Sequence, residues 1–169
     1  QEKIGIIGPN GVGKSTLLAK LHQLLSGKRE ISLGFMPQDY QETLQLDLSP
    51  VEFLSQTGHK EEIQKIQSHL ASLNFSYPEM HHQIHSLSGG QQGKLLLLNL
   101  VLRKPNFLLL DEPTRNFSPT SQPEIRKLFA NYSGGLVTVS HDRRFLKEVC
   151  TSIYSLTEHG LEVVDLQDL

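Results

Sequence analysis

The eight residues GPNGVGKS, at positions 8–15, constrain the fold of this chain more than any other stretch. An apolar run at residues 4–7 precedes them, and leucines recur at helical spacing over residues 17–25. A short apolar run that ends in glycine is typical of a buried strand, and leucines at this spacing indicate a helix with one apolar face. The sequence therefore predicts a strand, a glycine-rich loop and a helix in direct succession.

The loop matches the pattern G-x-x-x-x-G-K-[ST] at every fixed position. Its glycines let backbone N–H groups turn towards phosphate oxygens, its lysine adds positive charge at the terminal phosphates, and its serine hydroxyl can coordinate Mg²⁺. The predicted nucleotide-binding residues are Gly8, Asn10, Gly11, Val12, Gly13, Lys14, Ser15 and Thr16. The alternative is a chance glycine-rich turn, which the flanking strand and helix disfavour. Taken alone, the loop predicts only the binding of a nucleoside triphosphate.

Segments typical of strands alternate with helical segments along much of the remaining chain. The predicted strands are residues 31–36, 107–110, 136–140, 152–156 and 161–166. The last two are predicted to form a hairpin through Glu158, His159 and Gly160. Strands that alternate with helices favour an α/β fold with a mostly parallel sheet.

A helical segment interrupts this alternation. Ser49, Pro50 and Glu52 form the pattern of a capping box, which predicts a helix start. A second helix is expected from about Lys60, because apolar residues recur on one face as far as Leu73. We expect residues 1–48 and 105–169 to form one domain and residues 49–104 to form an inserted helical subdomain.

Two of the predicted strands end in polar side chains. The run FLLLDE ends in Asp111 and Glu112, and VTVSHD leads into His141. Beside a phosphate-binding loop, Asp111 is expected to hold Mg²⁺ directly or through water, Glu112 to polarise an attacking water, and His141 to donate a hydrogen bond to the γ-phosphate. The alternatives are a solvated acidic turn for the carboxylates and a histidine that caps a strand end.

The stretch IHSLSGGQQGKLLLLNL, residues 84–100, places Ser88, Gly89 and Gly90 directly before an apolar run. Taken alone, it is equally well interpreted as a turn that opens a buried helix. Ser88 and Gln91 fit an S-x-x-Q capping box, which predicts a helix that begins near Gly89. The free N–H groups and the positive dipole end of that helix would face outward, towards an anion.

Composition excludes several classes of protein. One cysteine, Cys150, rules out an internal disulfide, and the longest apolar run is far shorter than the ~20 residues of a membrane-spanning helix. A net charge of −2 gives no broad basic surface for nucleic acid. His81, His82 and His85 suggest a metal site, but the ligand set is incomplete and a solvated loop is favoured. We expect a cytoplasmic protein.

In their order along the chain, the motifs resemble the nucleotide-binding domain of ATP-binding cassette (ABC) proteins. The matching positions are residues 8–15, Gln38, residues 87–91, Asp111, Glu112 and His141. The resemblance implies an α/β P-loop NTPase (RecA-like) fold with an inserted helical subdomain, and a Mg²⁺-dependent ATPase activity. It also implies that antiparallel β strands of the family, with an aromatic side chain that stacks on adenine, would lie before Gln1. We therefore expect the chain alone to bind ATP weakly, which tight adenine-selective binding in titration calorimetry would contradict.

The resemblance also assigns roles to residues and partners. It implies that Ser15, Gln38 and Asp111 hold Mg²⁺, partly through water, and that Gln38 couples to the helical subdomain. It implies that Ser88, Gly89, Gly90 and Gln91 contact the γ-phosphate of ATP bound by a second cassette, in the same chain or in a homodimer. Each ATP would then be shared between two domains that associate head to tail.

Within the family, DEPTRNFSP and VSHDRRFL are most similar to the bacterial ABC-F group. These are soluble two-cassette proteins that act on the ribosome, some of which confer antibiotic resistance. The first stretch departs from the usual DEPTNHLD at Arg115, Asn116 and Phe117, and Ser118 replaces the D-loop aspartate, which bears on communication between two ATP sites. No long helical arm interrupts residues 15–38, which favours a second cassette. The alternatives are the ATPase subunit of a membrane transporter and a dimerisation module that does not hydrolyse ATP.

Overall fold

The computed structural model describes residues 2–39 and 43–168. Contacts within the chain divide it into two compact units, Gln1–Gln38 with Lys104–Leu169 and Asp39–Arg103. The first boundary therefore lies ten residues before the expected position, after residue 38 instead of residue 48. The functional division into an ATPase core and a helical subdomain stays a prediction, and part of it falls on residues 1, 40–42 and 169, outside the described residues.

The first unit is an α/β unit. Among the described residues, its elements are β1 (Lys3–Ile7), α1 (Lys14–Leu25), β2 (Leu33–Met36), β3 (Phe107–Asp111), α6 (Gln122–Ala130), β4 (Gly135–Val139), α7 (Arg143–Val149), β5 (Ser152–Thr157) and β6 (Gly160–Val164). These six strands form one sheet in the order β2-β3-β4-β1-β5-β6. Strands β1 to β5 run parallel, and β6 pairs antiparallel with β5. The α/β fold with a mostly parallel sheet is confirmed.

Both faces of the sheet are packed, as a parallel sheet requires. On one face, Ile6, Leu109 and Val137 form a cluster with Leu18 of α1. Gly5 points to the other face, because side chains alternate along a strand. There a Cβ on Gly5 would lie 2.7 Å from Cδ2 of Leu146, so α7 approaches β1 closely.

The parallel strands bring several loops to one edge of the sheet. β1 lies between β4 and β5, and β3 pairs with both β2 and β4. The carboxyl ends of β1, β2, β3 and β4 therefore meet at the same edge, where open α/β sheets bind ligands. The loop at residues 8–13 follows β1 at this edge, and Asp111 is paired in register with Val139.

The second unit is helical. It contains α2 (Pro50–Leu54), α3 (Lys60–Ser72), α4 (Tyr77–His81), a 3₁₀ turn (Ile84–Ser86) and α5 (Gly89–Arg103). The predicted capping box at the start of α2 is confirmed, because Glu52 accepts a hydrogen bond from the Ser49 N–H at 2.8 Å. Within the described part of the chain, no helix combines the length and the apolar character that crossing a membrane requires.

The sequence interpretation missed two short helices and lengthened two strands, β2 and β6, the first of which begins at Leu33 instead of residue 31. α4 has five residues and α7 has seven, too few for an apolar period to be visible. Their caps were the available signals: Ser76 with Glu79 before α4, and Asp142 before α7. β6 ends at Val164, and a 3₁₀ turn over Leu166–Asp168 replaces the last predicted strand residue.

Candidate nucleotide-binding site

The glycine-rich loop joins β1 to α1 in a conformation that requires glycine. Gly8 has φ 145°, and a Cβ there would lie 2.5 Å from the carbonyl oxygen of Leu156. Gly13 has φ 102° and precedes the first residue of α1, Lys14. Left-handed backbone of this kind turns N–H groups inward around an anion and directs the positive end of α1 towards it. The loop can therefore hold phosphate with its backbone.

Lys14 is buried and folds back over the loop. Its ammonium group donates to the carbonyl oxygens of Gly8 and Pro9, each at 2.8 Å. These two bonds fix the charge at the mouth of the loop, although the side chain is flexible when free. The positive charge is thus held where phosphate oxygens would bind.

Asp111 ends β3 beside this loop. Its side chain is 5% exposed, and its Oδ1 is a buried atom that accepts no hydrogen bond from any described residue. A buried carboxylate oxygen without a donor is unfavourable unless a cation or another donor satisfies it. Asp111 is therefore suited to binding a metal ion, directly or through water.

Glu112 follows directly in an unusual backbone conformation. Its φ is 51°, a left-handed value that is strained for a glutamate and typical of functional sites. A hydrogen bond from its N–H to the Val139 carbonyl oxygen, at 2.9 Å, holds this conformation. In this conformation the carboxylate reaches the loop after β4.

The Glu112 carboxylate meets His141 in that loop. Its Oε1 lies 3.7 Å from Nε2 of His141, and its Oε2 accepts a long hydrogen bond of 3.4 Å from the His141 N–H. Burial raises the pKa of Glu112 above its usual value, and the contacts with His141 partly oppose the rise. A half-buried carboxylate beside an imidazole is a suitable general base.

Asp142 fixes the segment that carries His141. Its Oδ1 accepts from the N–H groups of Arg144 and Phe145, which caps α7, and its Oδ2 accepts from the Thr114 hydroxyl at 3.1 Å. Thr114 lies two residues after Glu112. One side chain therefore links the segments that follow β3 and β4.

These residues line one cavity of about 570 Å³ within the first unit. Its lining residues are Asn10, Gly11, Gly13, Lys14, Ser15, Thr16, Gln38, Asp111, Glu112, Arg115, Val139 and His141. Ten of these were predicted from the sequence. Gly8 and Val12 do not line it: Gly8 provides a carbonyl to Lys14, and the Val12 side chain approaches Gly8. Arg115 was not predicted as a site residue. The one feature of the sequence that could have indicated it is its position in the turn that directly follows Glu112.

The LSGGQ motif lies at the start of α5, in the second unit. The predicted capping box is present, since Gln91 Oε1 accepts from the Ser88 N–H at 3.0 Å and the Gln91 N–H donates to the Ser88 hydroxyl at 3.3 Å. The first intrahelical bond runs from Gln92 N to Ser88 O. The N–H groups of Gly89 and Gly90 precede that bond in the first turn, so they are available to an anion.

The histidine segment gives no metal centre. His81 ends α4 and lies 3.2 Å from the amide of Gln67, and His85 lies in the 3₁₀ turn. Across residues 2–39 and 43–168, no group of three or more His, Cys, Asp and Glu side chains is arranged to hold a metal ion.

Comparison with known proteins identifies the family. The sequence model of a family described as ABC transporter matches residues 1–115. The chain belongs to the ABC transporter family. The cavity described above is thus the P-loop cavity of an ABC cassette.

Two curated relatives and one solved structure are similar over almost the whole cassette. It is 33% identical to the probable ATP-binding protein YheS of Escherichia coli K12, over 96% of this chain and 27% of the relative. It is 29% identical to ABC transporter F family member 2 of Arabidopsis thaliana, over 95% of this chain and 25% of the relative. This chain thus spans about a quarter of the length of the curated relatives it matches.

The structural relative is described as a dimeric, post-hydrolysis state of the ATP-binding cassette MJ0796 bound to ADP and Pi. It aligns with a TM-score of 0.80 at 21% identity, over 98% of this chain and 85% of that chain. The P-loop NTPase fold of the cassette is thereby confirmed.

Proposed function

We propose that this cassette binds and hydrolyses ATP with Mg²⁺, and that it closes head to tail with a second cassette of the complete protein. The first unit would be the ATPase core, and the second would carry the motif that meets the partner's ATP. Family membership and the ATP-binding relatives support the coarse function, while the cavity supports hydrolysis.

The observation that carries the proposal is the meeting of Glu112 and His141 in the same cavity as Lys14. Lys14 would bind the terminal phosphates by exchanging its two carbonyl contacts for phosphate oxygens. Glu112 would accept a proton from the attacking water, and His141, 3.7 Å away, would orient the γ-phosphate. The raised pKa of Glu112 favours this proton transfer, because a stronger base accepts the proton more readily.

The oxygen donors in the cavity fit a hard divalent cation. The lining residues that would hold it are Asp111 through its orphaned Oδ1, Ser15 through its hydroxyl, and Gln38. When bound, Mg²⁺ would neutralise charge on the β- and γ-phosphates.

The partner's nucleotide would meet the start of α5. Ser88, Gly89, Gly90 and Gln91 present a helix N-terminus with a formed capping box, which favours a phosphate group by its N–H donors and its dipole. A site built this way is completed only when two cassettes associate.

Replacing Glu112 by Gln in the complete protein tests the proposal. We expect turnover to fall about 10²- to 10⁴-fold while ATP binding persists, because the amide fills the same space but cannot accept the proton. Glu124→Gln, on the exposed face of α6, is the matched control and should leave turnover unchanged. Unchanged turnover in Glu112→Gln would refute the assignment.

We propose that the complete protein is a ribosome-associated factor of the ABC-F type in the cytoplasm, and that it uses ATP hydrolysis for a role in translation or antibiotic resistance. The relative named as an F family member supports this choice. ATP-dependent co-sedimentation of the complete Glu112→Gln protein with ribosomes is expected. Association with a membrane subunit instead would favour the second candidate, a transporter ATPase, which the family description itself suggests.

A third candidate is a dimerisation module without hydrolysis, and Ser118 is the observation that favours it. Its hydroxyl lies 2.9 Å from that of Thr120 and 3.0 Å from that of Ser121, so the residue in the D-loop position bonds locally. Single-turnover measurements on the complete protein separate the candidates. An ATPase converts bound ATP to ADP, whereas the module retains ATP.

A further inference from the structure

Glu79 of α4 is hydrogen-bonded through both carboxylate oxygens. Its Oε2 accepts from the Ser76 N–H and from the Ser76 hydroxyl, each at 2.7 Å, which forms the cap of α4. Its Oε1 accepts from the Gln91 side-chain amide, also at 2.7 Å. One carboxylate therefore joins the cap of α4 to the LSGGQ motif at the start of α5.

The two ends of the Gln91 side chain have different partners. Its Nε2 donates to Glu79, while its Oε1 accepts from the Ser88 N–H at 3.0 Å and from the Ser88 hydroxyl at 3.1 Å. Hydrogen bonds from the Ser76 backbone, the Ser76 hydroxyl and Gln91 lower the pKa of Glu79, so near neutral pH it is a carboxylate that only accepts. Only the NH₂ group of Gln91 can face it, and the carbonyl must therefore face Ser88.

We propose that Glu79 is a positioning residue of the LSGGQ motif, which acts through Gln91 to fix the hydrogen-bonding direction of Ser88. This inference rests on the proposed binding of a partner's ATP by that motif. With Gln91 held, the Ser88 N–H is bonded within the capping box, and the N–H groups of Gly89 and Gly90 are presented to the phosphate. The Ser88 hydroxyl would exchange its 3.1 Å bond to Gln91 for a phosphate oxygen. Without Glu79, the amide of Gln91 is free to rotate and turn its own donors towards Ser88.

The capping box at the start of α2 shows why capping alone does not account for this contact. Glu52 accepts from the Ser49 N–H and hydroxyl through Oε2 alone, at 2.8 and 2.7 Å, and this suffices to cap α2. Glu79 makes the equivalent pair of bonds to Ser76 with one oxygen. Its second oxygen is therefore not needed for the cap, and it is directed at Gln91.

The test compares Glu79→Ala with Ser76→Ala in the complete protein carrying Glu112→Gln. In this protein, ATP bound between two closed cassettes is expected to persist without hydrolysis, which we call trapping. Ser76→Ala breaks the same cap of α4 but leaves the Glu79 Oε1 for Gln91, so it is the matched control. The readouts are the ATP concentration for half-maximal trapping and the thermal unfolding midpoint. We expect similar midpoints, and a three- to tenfold higher ATP requirement for Glu79→Ala alone, about the net effect of one typical hydrogen bond, because Glu79 acts on the phosphate site only through Gln91.

A double-mutant cycle with Gln91→Ala separates an effect that Glu79 exerts through Gln91 from an effect of Glu79 on trapping that does not involve Gln91. If Glu79 acts through Gln91, adding Glu79→Ala to Gln91→Ala changes trapping no further. Equal trapping by the Glu79→Ala and Ser76→Ala proteins, or additive losses in the cycle, would overturn the inference. If Glu79→Ala is unfolded, Glu79→Asp, whose shorter carboxylate cannot reach Gln91, takes its place with the same outcomes.

Lys14→Ala in the same Glu112→Gln protein separates the proposed ATP binding from the positioning role of Glu79. Trapping that depends on Lys14 supports the proposed function, whatever Glu79→Ala does. A Glu112→Gln protein that traps no ATP would overturn the proposed function and, with it, this inference.

Discussion

Gly89 offers a test in which the fold and the function should respond in opposite directions. It is the first residue of α5, and a Cβ added there would meet nothing within 4 Å. Alanine in a helix is favoured over glycine by about 0.5–1 kcal/mol, so Gly89→Ala should stabilise the cassette by up to that amount. For a chain of 169 residues, this corresponds to a Tm increase of about 1–4 °C.

The same methyl group should impair the closed, ATP-bound state. A phosphate oxygen must come within about 2.9 Å of a backbone N–H to accept its hydrogen bond, and a Cβ beside that N–H keeps it away. Loss of one charge-assisted bond of about 1.5–3 kcal/mol corresponds to roughly 10- to 100-fold weaker trapping of ATP. Trapping is measured in the complete protein with Glu112→Gln.

Gly27→Ala is the matched control for this comparison. Gly27 also has open space around it, but its φ of 84° is unfavourable for alanine. It should lower stability by about 1–2 kcal/mol and leave ATP trapping unchanged. A Gly89→Ala protein that melts at a lower temperature, or that traps ATP as the parent does, would refute the reasoning.

Three further predictions concern residues of the first unit. Because burial raises the pKa of Glu112 in the protein without nucleotide, ATP hydrolysis should fall as the pH drops through that raised pKa, so the acidic limb of the kcat/KM profile should lie above pH 4.5 and vanish in Glu112→Gln. Lys3→Met should lower the free energy of unfolding in urea by about 1–3 kcal/mol, since Lys3 donates to the Phe129 carbonyl at the end of α6, whereas exposed Lys20→Met should change it little. Gly8→Ala should lower Tm and abolish ATP binding together, because its Cβ would lie 2.5 Å from the Leu156 oxygen; ATP binding of normal affinity would contradict this.

The site was largely predictable because its parts are local. The loop before Lys14, the carboxylates at the end of β3 and the cap at Ser88 are each contained in a few consecutive residues whose backbone rules are known. The parallel sheet then brings the ends of its strands to one edge, which the strand–helix alternation already implied.

What the sequence did not predict depends on packing between distant segments. The Glu79–Gln91 bond joins residues twelve positions apart on two helices, and α4 was itself too short to recognise. The bond from Lys3 to Phe129 spans 126 positions. Arg115 was known only as a departure from a motif, and its place in the cavity depends on the turn after Glu112.

The three hydrogen bonds that the Asp142 carboxylate accepts have a consequence for motion within the first unit. Because Thr114 and the first turn of α7 share one carboxylate, the segments bearing Glu112 and His141 are expected to shift together as one rigid piece. A displacement of the turn after Glu112, for example on contact with a second cassette at Ser118, would then move His141 through the hydrogen bonds of Asp142. In this arrangement, Glu112 and His141, the proposed catalytic pair, would keep their spacing while their distance to the phosphates changes. Closure would then regulate when the pair acts and leave its internal geometry intact.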